Sequence, residues 1–78
     1  MRIVVLGGAG EMGQIAVRTA AELPFVGEIV VADRNLAGAE VVAAQSRNAR
    51  AVPVDLRDRD GLAAVIAGVD VVINASGP

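Results

Sequence analysis

The run Gly7-Gly8-Ala9-Gly10-Glu11-Met12-Gly13 carries glycines at the G-x-G-x-x-G spacing through Gly8, Gly10 and Gly13. Placed between an apolar run and a helical pattern, such a run forms a turn that binds phosphate. Gly8 is expected to permit the tight turn. Gly10 is expected to let the backbone approach a pyrophosphate with no Cβ in the way, and Gly13 to let the next helix pack closely on its strand. The attraction comes from free amides at the helix start, with the helix dipole behind them. Ala9, Glu11 and Met12 share the run and are expected at the same contact. Glu11 brings a negative charge there, and its expected role is a first-turn acid that favours the dipole and points outward.

Asp33 lies 20 residues beyond Gly13. An acid about 20 residues on from such a motif accepts hydrogen bonds from the adenosine ribose of a dinucleotide. Its charge repels a 2′-phosphate and favours NAD. The neighbouring Arg34 acts the other way, because a guanidinium stacks on adenine or pairs with that phosphate. The balance of the two leans to NAD over NADP. Asp55 and Leu56 follow the third apolar segment, where Asp55 is placed to accept the adenine amino group and Leu56 to cover the ring. The plainer reading of Asp55 is a loop acid beside Arg57. Asp58 and Asp60 read as capping and solvent-facing residues. Ala75, Ser76 and Gly77 leave the last apolar segment, and their small size lets a dinucleotide pass over the backbone. Gly77-Pro78 also reads as an ordinary turn.

Four strands and three helices must position these groups. Arg2 to Leu6 is strand one, apolar at Ile3-Val4-Val5-Leu6 and so buried on both faces. Helix one is expected from Gly10 or Glu11 to Leu23, stopped by Pro24, with Met12, Ile15, Ala16, Thr19, Ala20 and Leu23 inward. Phe25 is expected to fold back over its end. Glu28 to Ala32 is strand two. Asn35 caps helix two, expected from Leu36 to Ser46, with Gly38 inside it. Ala51 to Val54 is strand three, and Pro53 assigns it to an edge. Asp58 caps helix three, with Leu62, Val65 and Ile66 inward and Gly68 at its C-terminal stop. Val69 to Asn74 is strand four. Right-handed crossovers make the strands parallel. The expected fold is α/β, a doubly wound Rossmann-type parallel sheet of order 3-2-1-4, truncated after strand four.

Composition narrows the function. The chain has 78 residues, is 54% hydrophobic, and has a net charge of -2. A chain of this size buries only roughly 60% of its unfolded surface. Residues 1–78 are therefore expected to be the N-terminal part of one dinucleotide-binding domain, with a substrate domain outside this sequence. There is no basic block, so a nucleic-acid surface is not expected. All seven cations are arginines, and lysine, tyrosine, histidine and cysteine are absent. The chain thus lacks the usual proton donors of nicotinamide enzymes, and no catalytic residue or metal site is expected in it. No apolar run approaches the ~20 residues of a membrane span. Met1-Arg2-Ile3 enters a strand directly, which leaves no room for a signal peptide and makes a cytoplasmic protein the expectation.

Val5-Leu6-Gly7-Gly8-Ala9-Gly10 with Met12-Gly13, Val31-Ala32-Asp33-Arg34, Val54-Asp55-Leu56, and Asp70-Val71-Val72-Ile73-Asn74 leading to Gly77-Pro78 together resemble the cofactor domain of the saccharopine dehydrogenase-like family. The resemblance covers essentially the whole chain and implies the NAD(P)-binding part of an oxidoreductase of amino-acid type. A small-molecule substrate would be bound by another domain, and a homo-oligomer is the assembly to look for. Gly7, Gly10 and Gly13 also fit G-x-x-G-x-x-G, and Asp55-Leu56-Arg57-Asp58 looks like extended short-chain dehydrogenases and their NmrA-like relatives. Those enzymes use a Tyr-x-x-x-Lys pair, which would lie beyond Pro78. A non-catalytic dinucleotide-sensing module is the alternative outside enzymes.

Overall fold

The computed structural model describes residues 1–76. Seven elements alternate along the chain: β1 (Arg2–Leu6), α1 (Glu11–Ala21), β2 (Glu28–Asp33), α2 (Leu36–Ala43), β3 (Ala49–Pro53), α3 (Arg59–Ile66) and β4 (Val71–Asn74). All strand pairs are parallel and the order is β3-β2-β1-β4, as expected. The register aligns Leu6 with Ala32 and with Asn74, and Asp33 with Pro53. The carboxyl ends of the four strands, and the loops that leave them, therefore lie side by side.

Alternation along the central strands divides the core in two. Ile3, Val5, Ile29 and Val31 pack with Val17 and Ala20 of α1 and Ala39, Val42 and Ala43 of α2. Val4, Leu6, Val30 and Ala32 face the other way, onto Val54 and the partly buried Leu62 and Val65 of α3. Full burial of a valine or isoleucine contributes about 1.5–3 kcal/mol. Ile29, Val4, Val5, Val17 and Val31 are the largest such side chains, so most of this stabilisation sits on the β1–β2 pair. The alanines of α2 bring that helix close to the sheet. Pro53 ends β3 at the sheet edge, where its missing N–H breaks no ladder.

The caps agree with the sequence. Asn35 Oδ1 accepts the Gly38 amide at 3.0 Å, and Asp58 Oδ1 accepts the Gly61 amide at 3.2 Å. Gly68 takes φ +73° just past α3. A Cβ at Gly38 would lie 2.5 Å from Nδ2 of the Asn35 cap and 3.1 Å from Ala9 Cβ, so the glycine leaves room for the cap and for the β1 turn.

Other expectations are corrected. α1 turns Gly13, Val17 and Ala20 inward, while Met12 is 68% and Ile15 54% exposed, and Thr19 and Leu23 are exposed too. The cause is Gly13: it has to lie against the β1 turn, and a helix phased on residue 13 buries 17 and 20. α1 also ends at Ala21, where the Glu22 and Leu23 amides switch to the i−3 carbonyls of Thr19 and Ala20. Phe25 does not cover the helix end and is 57% exposed. α2 stops at Ala43 rather than Ser46, and Ile66 is exposed. β3 begins at Ala49, because Asn48 already bonds through its carbonyl to the Ile29 amide. β4 begins at Val71; Asp70 before it accepts the Arg2 amide at 2.7 Å.

Candidate functional site

The glycine turn is built differently from the expectation. The left-handed residue is Gly7, at φ +78°, and Gly8 does not share that conformation. A Cβ on Gly7 would lie 2.6 Å from Ser76 Cα and 2.8 Å from Ser76 N. Gly8 is buried, and a Cβ there would run into the Val31 side chain on β2. Gly13 presses the start of α1 onto the turn, where a Cβ would meet the Gly7 carbonyl and sit 2.5 Å from Gly8 Cα. At Gly10 the nearest atom to a Cβ would be the Gly7 oxygen, at 3.5 Å, and the remaining space is open. Gly10 is thus the glycine that leaves room for a bound group. Gly7 was missed as a site residue, although it heads the alternative G-x-x-G-x-x-G frame and directly follows the strand.

The amides of the turn divide into used and unused. Gly7 and Gly8 donate to the Ala32 carbonyl at 2.8 and 3.2 Å, and Gly10 donates to Gly7 O at 3.1 Å. Ala9 donates to Asp33 Oδ2 at 3.0 Å. The amides of Glu11, Met12 and Gly13 find no backbone or side-chain acceptor among the described residues, and the N-cap Gly10 offers no side chain to them. Three orphan donors at a helix start, beside an open glycine, are a fit for an anionic group such as a pyrophosphate. Glu11 is exposed in the first turn of α1, as a dipole-favouring acid should be.

A cleft of about 410 Å³ opens at the carboxyl ends of the strands, between Gly7, Gly10, Asp33, Arg34, Leu56 and Ser76. Val54, Asp55, Arg57 and Ala75 complete its wall. Of the sequence-predicted residues, Gly10, Asp33, Arg34, Asp55, Leu56, Ala75 and Ser76 come together here. Gly8 and Gly13 stand behind the cleft as packing residues. Met12 lies on another hollow, with Ala16, Ile73, Asn74 and Ala75. Gly77 lies outside the described residues.

Asp55 is engaged by Arg57. Arg57 Nε and Nη2 donate to its two oxygens at 3.2 Å each, and the Arg57 amide donates to Oδ1 at 3.0 Å. These bonds hold the Asp55 carboxyl below its ordinary value; the side-chain bond from Arg57 is the largest cause, and the charge of Arg34 adds to it. The same pair raises the Arg57 guanidinium. Asp55 thus has Arg57 as its loop partner while still lining the cleft, and Arg57 joins the cleft as a residue not counted among the expected site residues. Its signal was the Asp-x-Arg spacing. At the β4 exit, Ala75 donates to Leu6 O at 2.8 Å, and the Ser76 amide and hydroxyl donate to Asn74 Oδ1 at 3.1 and 2.5 Å. These bonds fold the exit back over Gly7.

Among the described residues there is no group of three or more His, Cys, Asp or Glu side chains that could hold a metal ion. No helix among them is long and apolar enough to cross a membrane.

Comparison with known proteins points the same way. The chain is similar to apo saccharopine dehydrogenase (L-Glu forming) from Saccharomyces cerevisiae, with 32% identity and a TM-score of 0.82 over 95% of this chain. It spans 16% of that protein. It also shares its fold with the oxidoreductase ylbE from Lactococcus lactis, at 24% identity and a TM-score of 0.81, over all of this chain and 33% of the other. The family described as the saccharopine dehydrogenase NADP binding domain matches residues 3–78. With a strand order, a glycine turn and a sequence match in agreement, the chain belongs to the saccharopine dehydrogenase NADP-binding-domain family.

Proposed function

We propose that this chain is the cofactor-binding part of an NADP(H)-dependent oxidoreductase similar to saccharopine dehydrogenase. The observation that carries the reading is the set of unpartnered amides of Glu11, Met12 and Gly13 beside the open space at Gly10. They would hold the pyrophosphate, and the cleft between Arg34, Leu56 and Arg57 would take the adenosine end. When bound, the nicotinamide supplies hydride transfer; this chain's residues bind and orient the dinucleotide. Substrate and proton chemistry would come from other parts of the protein.

NADP rather than NAD is the second element of the proposal, and it reverses the lean drawn from the balance of Asp33 and Arg34. Two arginines, Arg34 and Arg57, line the cleft proposed for the adenosine end, with Arg57 shared with Asp55. The two Asp33 oxygens already accept the Ala9 and Asn35 amides, which weakens the repulsion expected of a free carboxylate. The family description also names NADP.

Calorimetric titration of the protein carrying this domain with NADPH and NADH tests both elements. The expected result is binding of both, tighter for NADPH, with Gly10→Val removing it. Unchanged affinity in Gly10→Val sinks the reading. Oxidation of NADPH with a 2-oxo acid and an amino acid as co-substrates tests the enzyme class; tight binding with no turnover across such pairs favours a sensing module.

A further inference from the structure

We propose that Asp33 acts as a latch on the phosphate-binding turn, so that its contribution to dinucleotide affinity runs mainly through Ala9. The proposal rests on the cofactor-binding reading above and deepens it. Asp33 Oδ2 accepts the Ala9 amide at 3.0 Å, and Oδ1 accepts the Asn35 amide at 2.9 Å. Its main-chain oxygen accepts the Val54 amide at 3.1 Å. One residue thus ties together the loops after β1, β2 and β3. The Ala9 bond joins segments 24 residues apart and is partly buried.

Ala9 is the residue through which this latch reaches the anion site. Its carbonyl accepts Gln14 Nε2 at 3.2 Å, while Asp33 holds its amide. With both ends of the residue held, the chain enters α1 in one orientation, and the amides of Glu11, Met12 and Gly13 are aimed before any ligand arrives. Removing the carboxylate leaves the part-buried Ala9 amide without its charge-assisted partner and frees the turn to rotate. The Asp33 oxygens keep lone pairs for a ribose hydroxyl, but two backbone amides already fix their direction. Selection at the ribose, the usual assignment of this acid, could use those lone pairs with the carboxylate left in place, so the two roles are separated by the choice of ligand.

Two ligands and two variants separate the alternatives. The ligands are NAD and its analogue with no 2′ or 3′ hydroxyl on the adenosine ribose. A latch predicts that Asp33→Ala weakens both by the same factor, about tenfold. A loss seen with NAD and absent with the analogue means that Asp33 works at the ribose, and overturns the proposal. Asp33→Asn keeps one acceptor oxygen, so an intermediate loss is expected, again equal for the two ligands. Amide hydrogen exchange of the ligand-free protein gives a reading that needs no cofactor. Exchange at Ala9 is expected to be fastest in Asp33→Ala and intermediate in Asp33→Asn; unchanged exchange at Ala9 in both variants overturns the latch. If the wild-type protein binds no dinucleotide, the cofactor reading falls, and the Ala9 exchange still decides the latch.

Discussion

Ser76 Cα occupies the place that a side chain at position 7 would need: a Cβ on Gly7 would sit 2.6 Å from it. The β4 exit and the β1 turn are thus in backbone contact, and Gly7 also has the positive φ that disfavours any Cβ. Gly7→Ala is expected to destabilise the protein by about 2 kcal/mol or more, since strain and overlap act together. Denaturant titration measures it. A loss below about 0.5 kcal/mol, the range of an ordinary surface change, contradicts the assigned role.

Gly10 and Gly13 are expected to separate binding from stability. Gly10→Val places its side chain in open space at an extended N-cap, and should cost no more than about 1 kcal/mol. It should nevertheless lower NADPH affinity by at least about a hundredfold, by filling the approach to the orphan amides. Gly13→Ala meets backbone atoms of Gly7 and Gly8, and should lower the melting temperature before any effect on binding is read. Thermal melts and calorimetry of both variants check the pattern.

Arg34→Ala and Arg57→Ala are each expected to weaken NADPH binding by about tenfold while changing NADH binding little. Equal losses for the two cofactors would place these arginines away from the 2′-phosphate.

The pH dependence of that preference follows from the groups involved. Asp55 is held below its ordinary value of 3.8, so its pairing with Arg57 is present above that value. The pairing is lost only as pH falls through the lower, folded-state value. Between pH 5 and 8, the NADPH-to-NADH preference should therefore not follow Asp55. It should weaken below about pH 6, where a phosphate monoester gives up its second charge. Affinities measured at pH 5, 6, 7 and 8 test this.

Helix caps offer a test of the fold independent of any ligand. Asn35→Ala and Asp58→Ala should each cost about 1 kcal/mol by releasing the Gly38 and Gly61 amides. A chemical denaturation series reads both.

The sheet order was legible because the apolar runs, the cap residues and Pro53 each point to one arrangement. Asn35, Asp58 and Gly68 act through bonds or dihedral angles within a few residues, which a sequence displays directly. What stayed hidden was non-local. Gly7 and Gly8 are adjacent, and only the distant Ser76 and Val31 reveal which one turns and which one packs. The inward face of α1 looked right at Met12 and Ile15, because its apolar side is wider than the part that is buried; the backbone contact of Gly13 with the turn decides the phase. Arg57 was named only as a neighbour of Asp55, not as part of the cleft. Asp55 is a local partner of Arg57, and only the assembly of β2 beside β3 adds Arg34 to the same cleft.

The bonds from Gly7 and Gly8 to the Ala32 carbonyl bear on how far the glycine motif is self-sufficient. Both donors come from the first βα unit and the acceptor from the second, so a peptide ending at helix one would hold every glycine and still lack the cradle. The site is a product of β1–β2 assembly. A dinucleotide that selects the finished turn therefore draws the central strand pair into its ordered form, and its binding energy appears as resistance of that pair to opening.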